Sequence, residues 1–487
     1  MSCIAYNRFT RLGFKRIIRL KGNPLDMANL DMFFNPQSIA IIGATETPGF
    51  GMWTTEYLLK SSFKVYPVHI KKEQVFGHHA YNNIKTIPDE IDLVIILVPT
   101  PHVLQTVQDA IEKGVKGIII ESAGFAETGR ADFRLIQQKI TELAKSSGVR
   151  IIGPNCLGVT NVHNQFTSAE TDFTNVRPGN IAIIAQSGVL GNIILDWAFY
   201  EGIGFSKVIT LGNKLDVDEV DCMEYLLEDP STEVICLYVE EIRDGARFLR
   251  VAKKVNKVKP IIVVKNGRTS AGARAALSHT ASIAGDDRLY DAIFKQAGVI
   301  RANDFYEMFD FAKGFSLQPL PQGNRLAIVT SSGSLGILAS DEAERQGLVL
   351  AQLSSQTETQ MRQNAPDWVS LRNPVDIGPA QLAMMDQCLT AVLQDENVDA
   401  LLWIEIIPER VVKILGLPLR IPGKIIRTLG TQRGKPVIIN TFGSPYMKAI
   451  LHQYLDKSKI PITISISNAV RTIARMLQYR KFKAQFS

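Results

Sequence analysis

The sequence predicts an α/β protein built from parallel sheets covered by helices on both faces. Three observations predict it. Short, wholly apolar runs recur along the chain, each followed by a turn containing Gly, Pro or Ser and then a stretch of helical spacing. Such runs lack the in–out alternation of a strand with one wet face, so they read as strands buried on both sides. Hydrophobic residues make up 46% of the 487, which supports large cores and argues against general disorder. A chain of this length is expected to divide into about three domains.

The strands are expected at 38–42, 64–68, 93–98, 117–120 and 149–152, then at 180–184, 207–210, 234–239 and 261–264, and finally at 325–330, 400–404 and 436–440. Turn-rich joints separate the three groups. Arg177-Pro-Gly-Asn180 precedes a fresh strand, and Gln318-Pro-Leu-Pro-Gln-Gly-Asn324 is the clearest linker. The stretch between Ile152 and Val176 is poor in periodicity and is expected to bridge the first two groups. The expected domains are therefore 31–150, Rossmann-like, then 151–318 and 322–480, both shorter flavodoxin-type parallel sheets.

Several function classes recede on composition. No apolar run reaches the ~18 residues that argue for a membrane span. Cys3, Cys156, Cys222, Cys236 and Cys388 are scattered with no CxxC, which suits a reducing, cytoplasmic setting and gives no zinc signature. The net charge of +6 is uneven: Arg8, Arg11, Lys15, Arg16, Arg19 and Lys21 against Asp26 put five of those charges in residues 1–30. The basic balance is thus no argument for nucleic acid. This extension reads either as a targeting or membrane-surface segment, or as sequence ahead of a true start at Met27 or Met32.

Ligand-capable turns follow the strands. After the first comes Gly43-Ala44-Thr45-Glu-Thr-Pro-Gly49-Phe-Gly51, leading into a helix. Such a turn offers unpaired N–H groups to an anion, although the spacing is not a clean GxGxxG. The second strand ends Val68-His-Ile-Lys71-Lys72, where an NAD site wants a carboxylate for the ribose. Two lysines suit NADP or coenzyme A instead, unless they are merely solvated surface charges. Val98-Pro99, Glu121-Ser122 and Asn155-Cys156 follow the third, fourth and fifth strands, so three loops share one sheet edge. Cys156 is either a reactive thiol or a packed cysteine.

In the second group, Gln186-Ser187-Gly188-Val189 is another strand–turn–helix, without the lysine of a P-loop, whose N–H groups and helix dipole favour a phosphate. Glu240 and Glu241 follow the strand at 234–239. A carboxylate there can orient an imidazole, or simply sit at a helix start or pair with Arg243. The imidazole is His279, in Ala-Leu-Ser-His279-Thr-Ala281-Ser-Ile-Ala-Gly-Asp286-Asp287. Small neighbours permit close approach of a ligand, and a neutral imidazole can attack phosphorus. Asp286 or Asp287 is expected to open the following helix. The third group carries Thr330-Ser-Ser-Gly333-Ser334-Leu335, the same turn again, and Ser332 lacks the first glycine of a GxSxG elbow.

In this order and spacing, Gly-Pro-Asn-Cys-Leu-Gly, Gln-Ser-Gly and Ser-His-Thr followed by Ala-Gly-Asp-Asp resemble the NDP-forming acyl-CoA synthetases, specifically α subunits of ADP-forming acetate–CoA ligases. Succinyl-CoA synthetase α is more distantly similar. The resemblance implies a Rossmann-like coenzyme A domain, with Gly43, Ala44 and Thr45 on phosphates and Lys71 or Lys72 near the phosphoadenosine. Val98, Pro99 and Ser122 would line the site, with Asn155 and Cys156 near the thioester. It implies two succinyl-CoA synthetase-type flavodoxin-like domains, with His279 as phosphoryl carrier, Glu240 or, less favoured, Glu241 orienting it, and Gln186, Ser187, Gly188 and Val189 receiving the phosphate. No ATP-grasp segment follows residue 322, so the resemblance implies ATP/ADP and Mg2+ on a separate β subunit in an α2β2 assembly, with a small carboxylic acid or acyl-CoA as substrate. Ala281, where members commonly have glycine, and Ser334-Leu335, where Gly-Pro is frequent, depart from the pattern. The competing expectation is a non-catalytic coenzyme A-binding regulatory paralogue. An NADP oxidoreductase would leave His279 unexplained.

Overall fold

The apolar runs become the centres of three parallel sheets, all wound in one order. In the computed structural model, the described residues are 30–272, 274, 286–363, 365–378, 382–406, 409–410, 414, 434–455 and 459–486. The first sheet holds β1 (Ser38–Ile42), β2 (Lys64–Val68), β3 (Leu93–Ile96), β4 (Gly117–Ile120) and β5 (Arg150–Ile152), in spatial order β2-β1-β3-β4-β5. Every residue of β1, β3 and β4 is buried, because helices cover both faces. Those helices are α1 (Met52–Lys60), α2 (Thr100–Lys113) and α3 (Ala131–Ser147); the last two end at Gly114 and Gly148 in left-handed geometry. Strand β5 crosses the expected boundary at 150 and belongs to the first sheet.

The second sheet contains the stretch that lacks periodicity. Its residues form β6 (Val159–Asn161) and β7 (Phe166–Thr167), an antiparallel hairpin added to the sheet edge through Thr160 opposite Val208. The bridge between the domains is therefore also part of the second sheet. The parallel strands are β8 (Pro178–Ala185), β9 (Phe205–Thr210), β10 (Val234–Val239), β11 (Ile261–Lys265) and β12 (Ile300–Ala302), in order β12-β11-β10-β8-β9-β6-β7. Around them lie α4 (Gly188–Tyr200), α5 (Glu219–Glu228), α6 (Gly245–Asn256), α7 (Asp287–Ala297) and α8 (Phe305–Leu317). Of the two candidate first residues for α7, Asp286 is the cap: its Oδ1 accepts from Arg288 N at 3.0 Å.

The third sheet holds β13 (Arg325–Thr330), β14 (Val349–Leu350), β15 (Val375–Asp376), β16 (Ala400–Glu405), β17 (Val437–Thr441) and β18 (Ile462–Thr463). It runs β14-β13-β16-β17-β18, with β15 paired to the end of β13. Helices α9 (Gly333–Arg345), α10 (Ser355–Arg362), α11 (Leu382–Gln394), α12 (Pro445–Leu455) and α13 (Ile466–Ala484) accompany it. In the first two sheets the strand order reverses between the first and the third parallel strand, and in the third sheet between β13 and β16. Open parallel sheets bind ligands outside the carboxyl ends at such a point.

The domains dock through shared cores and buried polar contacts. One hydrophobic cluster runs from Phe33 and Ile41 in the first domain to Leu237 and Phe294 in the second. The expected linker is clamped: Gln318 accepts from Val437 N at 2.8 Å and donates to Lys459 O at 2.6 Å. Helix α8 packs on α13 so closely that a Cβ on Gly314 would overlap Thr472 Cγ2. Lys313, almost fully buried, donates to Ile462 O at 2.7 Å and pairs with Asp310 at 2.8 Å. Gly314→Val is therefore expected to destabilise the chain by about 1–3 kcal/mol through overpacking, visible as a lower denaturant midpoint, whereas Gly314→Ala should cost less. Equal midpoints for wild type and both variants would contradict this packing.

Candidate active site

A cavity of about 560 Å³ opens where the carboxyl edge of the first sheet faces the N-terminus of α4. The first domain contributes Val98, Pro99, Ser122 and Asn155, and the second contributes Gln186, Ser187, Gly188 and Val189. Two of the residue sets singled out in the sequence, whose nearest members Asn155 and Gln186 are 31 positions apart, thus share one wall. The approach of the domains is close: a Cβ on Gly188 would sit 3.2 Å from Leu157 N. Helix α4 begins at Ser187 with no side-chain cap bond, so its first-turn N–H groups and dipole are presented without a side-chain cap.

Gln186 ties this turn to the next strand end. Its backbone N donates to Tyr238 O at 2.9 Å, and its Oε1 accepts from Glu240 N at 2.9 Å and Glu241 N at 3.2 Å. The Glu240 side chain is buried and accepts from the Tyr238 hydroxyl at 3.4 Å, while that hydroxyl accepts from Asn266 Nδ2 at 2.6 Å. Glu241 takes another path, pairing with Arg243 at 2.9 Å. The sheet edge thus holds Glu240 within a polar network, close to where β11 ends at Lys265. His279 itself lies outside the described residues, as does Ala281.

The remaining expected residues fall elsewhere on the first domain. Gly43 has φ +90°, and a Cβ there would come within 3.0 Å of Val98 Cγ1, so the turn requires glycine. Ala44 is buried, and Thr45 Oγ1 accepts from Thr47 N at 3.0 Å. None of these three lines the cavity. At the start of α1, Gly51 N donates to Glu170 Oε1 of the second domain at 2.8 Å, so a protein carboxylate takes an anion position. Lys71 and Lys72 also lie off the cavity. Lys72 pairs with Glu46 at 2.9 Å, and both backbone N–H groups donate to His69 Nδ1. Burial, then the two lysine charges, pulls the His69 imidazole below its ordinary range.

Glu121, to which the local sequence assigns no role, is part of the site. It lines the cavity and is buried, and neither carboxyl oxygen makes a hydrogen bond of ordinary geometry, although the Ser168 hydroxyl lies close by. Burial pushes its carboxyl well above the usual range; the Ser168 hydroxyl offsets part of this, and the Glu170 charge adds to it. Its only advance signal was a charged residue directly after an apolar strand. Cys156 is the packed alternative: it is buried, donates to Ile120 O at 3.4 Å, and burial followed by the Glu121 charge pushes its thiol upward. In the third domain, Ser331 Oγ accepts from Ile406 N at 3.1 Å, and burial pushes neighbouring Glu405 up to about 7. No cluster of metal-binding side chains occurs among the described residues, and none of their helices is long and apolar enough to cross a membrane.

Comparisons place these features among known proteins. Residues 37–162 match a family described as a CoA binding domain, and residues 178–315 match a succinyl-CoA ligase like flavodoxin domain. The chain is 43% identical over 440 residues to the acetate–CoA ligase [ADP-forming] II subunit alpha of Pyrococcus furiosus, covering 89% of this chain and 94% of that one. An acetate–CoA ligase [ADP-forming] of Methanocaldococcus jannaschii is 42% identical over 345 residues, which is 70% of this chain and 48% of the relative. Among solved structures, the dinucleotide forming acetyl-coenzyme A synthetase 1 of Ca. Korarchaeum cryptofilum, in complex with phosphate and ADP, superposes with a TM-score of 0.83 at 30% identity, covering 94% of this chain and 98% of that one. Similarity of this extent, carried by the same two domains that build the cavity, means that the chain belongs to the α-subunit branch of the ADP-forming acetate–CoA ligase family.

Proposed function

We propose that this chain is the coenzyme A- and acyl-handling subunit of an acid–thiol ligase that interconverts acyl-CoA, ADP and phosphate with a carboxylic acid, coenzyme A and ATP. One observation carries the reading: the loop ends of the CoA-binding domain and the uncapped N-terminus of α4 face the same cavity. A thioester held by the first and a phosphate held by the second would meet there.

The reaction balances in three steps. A phosphate oxygen attacks the thioester carbonyl, the C–S bond breaks, and acyl phosphate and the coenzyme A thiol result. His279 then attacks phosphorus, the acyl C–O–P link breaks at phosphorus, and the carboxylate leaves. The phosphoryl group finally passes from His279 to ADP. Each transfer depends on positioning and on charge stabilisation, for which N–H groups at a helix start are suited. Glu240 would orient the imidazole. Glu121, held neutral, would give its proton to the departing sulfur and be reprotonated with the proton that the attacking phosphate loses, the same two transfers running backward in the synthetic direction. Val98, Pro99, Ser122 and Asn155 would hold the pantetheine end. Gly43, Ala44, Thr45, Lys71 and Lys72 would reach the nucleotide end, with Lys72 first leaving Glu46.

The Pyrococcus furiosus relative is named a subunit alpha. That supports a separate partner for the nucleotide step, an ATP-grasp β subunit holding ATP/ADP and Mg2+ in an α2β2 assembly. The test is peptide mass spectrometry at neutral pH on the chain co-purified with its partner after exposure to ATP and magnesium. An acid-labile phosphate on the peptide containing His279, discharged by coenzyme A plus a carboxylic acid, is expected, and the acid that discharges it names the substrate. An unmodified peptide beside a partner shown to be active would overturn the carrier role and favour a coenzyme A-binding regulatory protein.

A further inference from the structure

A second concavity, about 770 Å³, lies at the junction of the second and third domains. Lys253 and Lys295 enter it from α6 and α7, and Arg475 and Lys481 from α13. Gln346 and Gln478 add amides, and no carboxylate is among its lining residues. Arg475 is half-buried, and its guanidinium donates to Gln478 Oε1 at 3.4 Å. The two carboxylates whose charges act on it, Glu307 and Glu342, are already bound by Arg471 at 3.2 and 2.8 Å.

The plainer explanation is that these cations neutralise helix ends. Lys253, Lys295 and Lys481 do stand in the last turns of α6, α7 and α13, and α9 also ends at this cavity. Four helix C-termini, however, carry only about half a negative charge each. Four side-chain cations exceed that sum by about two units, and the surplus converges on a concave space of the size that takes a small molecule. Lysines supply point charges and arginine a planar fork, the set that binds phosphate oxygens.

We propose that this junction is a binding site for a small molecule bearing a di- or triphosphate, held between Lys253 and Lys295 of one domain and Arg475 and Lys481 of the other. Its occupant would tie α7 to α13 across the domain boundary. The inference rests on this surface alone and not on the roles given to His279 or the coenzyme A cavity.

The test is isothermal titration of the full chain, without a partner subunit, using ADP and pyrophosphate separately. Wild type is expected to take up one equivalent of at least one probe, more weakly as salt rises. Lys295 and Lys481 are exposed, so the double variant K295E/K481E should fold, which circular dichroism checks. It is expected to bind at least about tenfold more weakly while its coenzyme A affinity holds. Equal affinity for the two probes would assign recognition to the phosphates alone, and tighter ADP binding would add the nucleoside. Failure of wild type to bind either probe, or equal binding by the double variant, would overturn the proposal.

Discussion

Alanine at position 279 is expected to abolish net formation of ATP from acyl-CoA, ADP and phosphate, by at least about 10³-fold, because alanine offers no nucleophile for the phosphoryl group. The exchange of acyl phosphate and coenzyme A with acyl-CoA and phosphate should survive within about tenfold, since that step needs only the positioned thioester and the anion site. Acetyl phosphate and coenzyme A serve as probes, and thioester absorbance reports the exchange. Loss of both reactions in a folded variant would give His279 a structural part. Retention of both would place the carrier elsewhere.

Glu121→Gln is expected to give the opposite pattern. It should depress the acyl exchange by about 10²- to 10⁴-fold, the range of a positioned acid–base group, yet leave phosphorylation of His279 from ATP intact. The variant also carries a stability signature. The carboxyl sits above its ordinary 4.5 in the folded chain, since burial disfavours its charge. Its contribution is therefore fully present below the unfolded value and is lost as pH rises through the folded one. A glutamine cannot ionise, so the variant should gain on wild type as pH increases from about 4.5 upward, by about 1–3 kcal/mol at the alkaline end. Chemical denaturation across that range measures it. A pH-independent difference together with unchanged exchange would remove Glu121 from the reaction.

The two variants separate what the cavity joins. Val98, Ser122 and Asn155 belong to strand ends of one sheet, and Ser187 begins a helix of the next. In the proposed mechanism the carrier would depend on the second set and the thioester on the first, so each variant should break one half-reaction. Glu240 is the remaining link, and its network through Gln186, Tyr238 and Asn266 spans the edge from β8 to β11.

Sequence alone determined the repeated strand–turn–helix units, because burial on both faces leaves an uninterrupted apolar run wherever it occurs. The strands at Ser38–Ile42, Lys64–Val68 and Arg325–Thr330 have the bounds those runs imply. It also placed Val98, Ser122, Asn155 and Ser187 on turns, for which local chemistry suffices. Tertiary structure alone decided three matters. The hairpin Val159–Asn161 with Phe166–Thr167 has no periodic pattern, since pairing with Val208 rather than its own spacing makes it a strand. Lys72 meets Glu46 and Gly51 meets Glu170, contacts between positions far apart that tie up a lysine and a helix start which local sequence presents as free. Glu121 acquires its character only when the second domain closes over it: an exposed glutamate after a strand is an ordinary anion, and a buried one without a hydrogen bond of ordinary geometry keeps its proton.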